Sequence, residues 1–252
     1  MWQSGRLCSV RRVEDMQHQF IYKGRSSADF NLFLSGEDTW TKALPDMERM
    51  QIPGRNGDLV IDNGRWQNTT GQYVCGIGVN FRENFRTFRA FLASVIGYSR
   101  LEDSWHPDEF RLARLAGALE PQLFKNGLTG EFTVEFEAKP QRFLKAGETP
   151  QELTSSATLT NNTLYTAKPL LRVYGTGTFT IGNVSIKINS ASTYTDIDCD
   201  IGECYKDTYA INCNGNVELT SGDFPTLKPG NTGITLGSGI TKIIVTPRWW
   251  TL

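Results

Sequence analysis

The 252-residue chain has two histidines, His18 and His106. A Ser-His-Asp or Cys-His system would therefore have to be built on His106, because His18 falls in an N-terminal stretch without clear periodicity. His106 lies in Leu101-Glu102-Asp103-Ser104-Trp105-His106-Pro107-Asp108, a run dense in carboxylates. One reading is an acid/base or metal site, with hydrolysis of cell-wall polymer resting on Glu102, Asp103 and His106. The other is a rigid turn in which His106 is hydrogen-bonded and the acids face solvent. The turn is preferred, because zinc sites draw on several His or Cys ligands and the neighbours supply one. Asp196, Asp198 and Asp200 alternate, so on a strand all three share a face. Calcium takes six or more oxygens, generally from a loop, and the sixth position of an EF-hand-like count is Ile201 rather than Gly. A solvated strand face is the expectation. Gly175-Thr176-Gly177 and Gly237-Ser238-Gly239 lack phosphate-loop spacing and read as hairpin turns. Cys8, Cys75, Cys199, Cys204 and Cys213 form an odd, scattered set without a CxxC pair, as expected of free thiols made in a reducing cytosol. No catalytic residue, cofactor site or metal site is assigned, and the chain is read as not an enzyme.

The elements that must position these residues are mainly β. Apolar residues make up 39% of the chain, with 24 Gly and ten Pro. That mixture suits short strands and tight turns. The net charge of −1 gives no electrostatic ground for specific nucleic-acid binding. No stretch is long and apolar enough to span a bilayer, and residues 1–19 show no apolar core of a signal peptide. The sequons at Asn68, Asn161 and Asn183 are therefore read as chance.

Residues 1–19 read as a loose leader, 20–145 as a β-rich domain, 146–165 as a Thr/Ser-rich linker, and 166–252 as an antiparallel β-sandwich. The clearest element is a helix over 81–96. Phe81, Phe85, Phe88, Leu92 and Val95 recur on one face, Asn80 and Glu83 sit where a capping box places them, and Gly97 stops the helix. Arg82, Arg86 and Arg89 form a stripe on its polar side, either a solvated face or a contact. Asp29–Leu34, Glu48–Ile52, Asp58–Asp62 and Tyr73–Val79 read as strands. Pro53-Gly54-Arg55-Asn56-Gly57 makes a rigid exposed loop between two of them. In Gly130–Pro140, Phe132, Val134, Phe136 and Ala138 alternate with Glu131, Thr133, Glu135 and Glu137, as in a half-buried strand. After the linker come only short strand signals, including one run from Cys204 to Cys213. Trp249-Trp250 follows the last strand, either tucked into the sandwich or offered to a partner.

Taken in order, several of these segments resemble the siphophage distal tail protein family. They are Phe20–Phe30, the turn Ile52-Pro53-Gly54-Arg55-Asn56-Gly57-Asp58-Leu59, Gly97–Asp103 leading to His106-Pro107-Asp108, Phe132–Leu144, and Pro247-Arg248-Trp249-Trp250-Thr251-Leu252. The resemblance implies a first domain with one principal helix that builds a hexameric ring, and a galectin-like second domain. It implies a virion structural protein of a phage or prophage tail, a baseplate hub made in the bacterial host cytoplasm. The implied partners are other copies of the chain, the major tail tube protein, the tape measure protein, and the tail tip or receptor-binding hub protein. It carries no catalytic residues. Arg55, Asn56, Arg82, Arg86, Arg89, Trp249 and Trp250 are the candidate contact residues. The competing reading is a carbohydrate-binding module for host cell-wall polymer, using exposed Tyr194, Tyr205 and Tyr209.

Overall fold

The computed structural model describes residues 18–35, 39–125, 127–191, 193–220 and 222–252. The chain forms two compact units, one of residues up to 107 plus 111–140, the other of 108–110 plus 141–252. Cys8 and Arg11-Arg12 of the expected leader lie outside the described residues. Its last two residues do not behave as a leader. The His18 carbonyl accepts from Leu34 N, and the Gln19 carbonyl accepts from Ser104 N at 3.0 Å.

The first unit is built on antiparallel strands β1 (Phe20–Tyr22), β2 (Arg25–Ser26), β3 (Leu32–Leu34), β4 (Pro45–Met50), β5 (Leu59–Trp66), β6 (Thr69–Ile77), β7 (Ser99–Asp103), β8 (Glu109–Leu115), β9 (Gln122–Leu123) and β10 (Gly130–Leu144), with a single helix, α1 (Phe81–Ala93), among the described residues. The main sheet runs β2-β1-β7-β8-β10-β6-β3, with β9 beside the start of β10. The expected alternation in β10 holds. Phe132, Val134, Phe136 and Ala138 are buried, while Glu131 and Thr133 are exposed. Helix α1 lays Phe81, Phe85, Phe88 and Leu92 into the same core. The aromatic rings interlock there, with Phe88 5.2 Å from Phe30, Phe85 4.9 Å from Phe132, and Tyr22 4.9 Å from Phe136 between centroids. Such tilted and edge-on pairs add to what burial alone contributes.

Three local expectations are corrected. The helix stops at Ala93, three residues early. Ser94 N reaches both Ala90 O and Phe91 O, and Val95 N bonds Leu92 O, so the last turn tightens into 3₁₀ geometry before Gly97 at φ 76°. Asn80 makes no side-chain cap, because it adopts φ 48°, and its carbonyl takes the first helical amides instead. The segment read as one strand from Asp29 instead begins as a 3₁₀ turn (Ser27–Phe30). A capping box at Ser26 and Asp29 nucleates it, with Ala28 N donating to Ser26 Oγ and Ser26 N to Asp29 Oδ2, both at 3.1 Å.

The second unit is a two-sheet sandwich. Its strands are β11 (Gln151–Leu153), β12 (Ala157–Asn161), β13 (Leu170–Gly175), β14 (Gly177–Ile181), β15 (Val184–Ile188), β16 (Tyr194–Asp198), β17 (Glu203–Lys206), β18 (Thr208–Asn212), β19 (Val217–Leu219), β20 (Gly230–Leu236) and β21 (Ile240–Thr246), while β22 (Trp250–Thr251) pairs instead with Arg142 and Phe143 at the end of β10. One sheet is ordered β11-β21-β13-β16-β17-β18 and the other β12-β20-β14-β15-β19. Leu171, Val173, Ile197 and Val245 from the first meet Phe179, Ile181, Ile186 and Ile234 from the second. The stretch read as a linker is not free chain, since β11 and β12 fall within it. Its Thr and Ser residues suit a pleated edge, and Leu153 and Leu159 turn into the core. The run from Cys204 to Cys213 breaks into β17 and β18 at Asp207, whose φ of 62° makes the hairpin turn. The two glycine turns pack on each other: a Cβ on Gly239 would stand 2.0 Å from Thr176 O. Glycine serves close backbone approach here, as the hairpin reading requires.

Phe88 is fully buried among Phe20, Phe30 and Phe132. Phe88→Ala is expected to destabilise the chain by about 3–5 kcal/mol, read from urea unfolding followed by circular dichroism.

Candidate interaction surfaces

The residues that could do chemistry are brought into structural networks. Asp103 ends β7, and its side chain is almost fully buried. It accepts from Trp105 N at 3.0 Å, His106 N at 2.8 Å and Tyr73 Oη at 2.9 Å, and its Oδ1 lies 3.1 Å from His106 Nδ1. Tyr73 Oη in turn accepts from Trp40 Nε1 at 3.2 Å. Burial, then the Asp103 charge, holds the Tyr73 hydroxyl well above its ordinary pKa. A carboxylate ringed by these contacts fixes a turn and has little capacity left to take a substrate proton. Glu102 alternates to the opposite side of β7 and pairs with Arg100 at 2.5 Å, so the three residues of the hydrolase reading do not converge.

The aspartates of β16 also differ from expectation. Asp196 and Asp198 do share a face, but both are buried. Each receives a two-pronged guanidinium. Arg172 meets Asp196 at 2.6 and 2.9 Å, and Arg248 meets Asp198 at 2.7 and 2.9 Å. Only Asp200 is solvated, 3.3 Å from Lys168. Guanidinium forks thus fill the positions a cation would need, and no group of three or more potential metal ligands clusters among the described residues. Burial acts to raise the pKa of Asp198, but Arg248 and the amides of Asp200 and Ile201 outweigh it and hold it below the ordinary carboxylate value.

Arg248 also shapes the C-terminal segment. Its φ of 59° turns the chain after β21, and its N–H donates to Gly147 O at 2.7 Å. A Cβ on Gly147 would stand 2.2 Å from Trp249 N, so only glycine admits this crossing. Trp249 and Trp250 are half-buried against the second core. Trp250 stacks on Tyr165 at 4.5 Å, and its Nε1 donates to Thr166 O at 3.0 Å.

Tyr194, Tyr205 and Tyr209 do gather on one side of the six-stranded sheet, yet they form no open platform. Tyr205 is buried under Tyr209, the Tyr209 hydroxyl donates to Asp198, and Tyr194 is bonded to Asp207.

Exposed apolar side chains gather on the β4–β5 ribbon. It forms its own two-stranded sheet, and neither strand pairs with another among the described residues. Met47, Met50, Val60 and Ile61 are exposed at 41–53%, with Leu44, Ile52 and Trp66 exposed near its two ends. The register sets Arg49 opposite Val60 and Glu48 opposite Ile61, so apolar side chains occur on both faces. Arg55 and Asn56 lie exposed at its tip, between Gly54 and Gly57 in left-handed conformation. A lone two-stranded ribbon is marginal in water, and its two edges offer unpaired backbone groups. The sequence reading placed both strands and the tip but did not single out the exposed apolar side chains of the shaft. The signal was there in Val60-Ile61 and Met47/Met50, which break the alternation a one-sided strand would show.

Arg82, Arg86 and Arg89 are exposed on α1 and make no ion pair among the described residues. Like charges three and four apart cost the helix a few tenths of a kcal/mol each, about 0.2–0.5.

No protein-family model and no curated protein matches this sequence. Among solved structures, the fold is similar to that of SPP1 Dit (gp 19.1), a paradigm of the hub adsorption apparatus in phages infecting Gram-positive bacteria. The TM-score is 0.68 at 14% identity, over 93% of this chain and 99% of that one. A second similarity is to the phage p2 baseplate in its activated conformation with Sr, with a TM-score of 0.48 at 10% identity over 91% of this chain and 97% of that one. The first similarity shows that this mainly β chain shares the fold of SPP1 Dit over nearly the whole of both chains.

The Asp198–Arg248 pair generates a pH expectation. A carboxylate whose folded pKa is lowered adds stability above its unfolded pKa of about 3.9, and that stability is lost as pH falls through the folded value. Arg248→Met should cost about 3 kcal/mol at pH 7, by urea denaturation, and flatten the acid limb of stability below about pH 4. An unchanged acid limb would show that other carboxylates set it.

Proposed function

We propose that this chain is a structural adaptor of a phage or prophage tail, a ring protein that links the tail tube to the tip or receptor-binding apparatus and has no catalytic role. The observation that carries the reading is the shared fold with SPP1 Dit over nearly the whole of both chains. The surface chemistry supports it. A closed ring needs two different faces on each subunit that match each other. The β4–β5 ribbon offers one face, apolar on both sides with open edges. The tip residues Arg55 and Asn56 extend it. The Arg82, Arg86 and Arg89 stripe offers a charged face for a neighbouring copy or for the tail tube protein. Trp249 and Trp250, half-buried within their own unit, are the weaker contact candidates. A hexamer, with the tape measure protein passing through its channel and a tail tip or hub protein below, is the assembly this reading implies. Its place is the virion tail.

The carbohydrate-binding alternative is not favoured, because the tyrosines it needs are tied into hydrogen bonds and ring packing.

Light scattering of the 28.2 kDa chain across a concentration series tests the reading. A discrete species of six subunits, or a stacked pair of such rings, is expected at high concentration. A strict monomer throughout removes the support for self-assembly. Met50→Asp with Val60→Asp should weaken association at least tenfold. The monomer's unfolding midpoint should barely move, since exposed substitutions usually change stability by no more than about 0.5 kcal/mol. If Arg55→Ala and Asn56→Ala leave assembly unchanged, the tip is not part of the contact.

A further inference from the structure

Cys204 and Cys213 face each other across the β17–β18 hairpin. The register pairs Tyr205 with Asn212, which places Cys204 opposite Cys213 at the next position. The backbone agrees. Cys213 N donates to Cys204 O at 2.8 Å, and Cys204 N, pointing the same way, is taken at 2.6 Å by the side-chain oxygen of Asn214. Cys213 lies one residue past the end of β18, and the pair keeps one of the two backbone hydrogen bonds of a hydrogen-bonded antiparallel pair, an amide side chain taking the other N–H. Cα atoms in such pairs lie about 5.5 Å apart. That distance falls inside the roughly 4.4–6.8 Å window that disulfides span. Directly opposed residues share a face. Cys204 is buried in the core between the sheets, and Cys213, partly exposed, packs against the same core.

We propose that Cys204 and Cys213 are an oxidation site that closes into a cross-strand disulfide when the protein meets a peroxide. Hydrogen peroxide first oxidises the accessible Cys213 thiol to a sulfenic acid, releasing one water. The Cys204 sulfur then attacks the Cys213 sulfur, and the hydroxyl leaves as a second water with the Cys204 proton. Two thiols and one peroxide become one disulfide and two waters. The order follows from burial, which pushes the Cys204 thiol up to about 12, so the exposed partner is the one that meets the oxidant. The product fastens β18, an edge strand with every residue exposed, to the rest of its sheet.

Cys199 is the competing partner. It is buried in the same core but stands beyond the turn from Glu203, diagonal to Cys204 rather than opposite.

The full chain should be treated with hydrogen peroxide, its remaining thiols alkylated under denaturing conditions, and the product cut with trypsin and a glutamate-specific protease. These separate Cys199, Cys204 and Cys213 onto three peptides. The expected result is the tripeptide Cys204–Lys206 linked to the peptide carrying Cys213, two hydrogen atoms lighter than the pair, with Cys199 alkylated. Cys199→Ser should leave the link intact, and Cys213→Ser should abolish it and return Cys204 to the alkylated pool. A Cys199–Cys204 link overturns the proposal. So does Cys213 driven to sulfinic or sulfonic acid with Cys204 still free.

Discussion

The first unit depends on one constraint, that a long strand can bury a single face only if something apolar covers it. In β10 the inward positions Phe132, Val134, Phe136 and Ala138 are covered by α1 and by rings from β1, β6 and the 3₁₀ turn. Rings fill this space because helix and sheet stand far enough apart to need large side chains. A ring packed edge-on also resists sliding along its neighbour. The outward positions carry Glu131, Thr133, Glu135 and Glu137, so a one-residue slip would bury three carboxylates and expose the rings of Phe132 and Phe136. Register, helix position and core composition are therefore one choice.

Much of this was legible from residue order. The alternation in β10, the helical stripe from Phe81 to Leu92 and the strand signals after Leu170 act locally, and local periodicity is what sequence displays. The misreadings share the opposite property. Asp196 and Asp198 looked solvated because their partners stand 24 and 50 residues away. Asp103, expected to face solvent within its turn, is buried because Tyr73, 30 residues earlier and out of view, takes its carboxylate. The helix end was misplaced because Val95 continues the apolar spacing while leaving the helix to pack against the core anyway.

Charged groups fall into two sets in this chain. Those that a catalyst would recruit are buried and satisfied, held by guanidinium forks or hydrogen-bonded turns. Asp198 accepts from Arg248, Tyr209 and two backbone amides, so its charge works as a bolt between β16 and the C-terminal segment. The other set, the arginines of α1 and the tip of the ribbon, stands in solvent without internal partners among the described residues. Enzymes commonly keep some reactive groups poised and under-satisfied in a cleft. Here the unpaired charge lies on open surface instead.

In the proposed ring, the β4–β5 ribbon has a consequence for how copies would meet. Held by its own ladder and turn, a two-stranded ribbon is only marginally stable in water. A neighbour that covers it would order it, and the entropy of ordering is charged to the encounter rather than to the fold. Protomer concentration then controls the ribbon's order. In the proposed ring a neighbouring copy would fix these residues, so each joining subunit would present the next with a more rigid surface than the one it met.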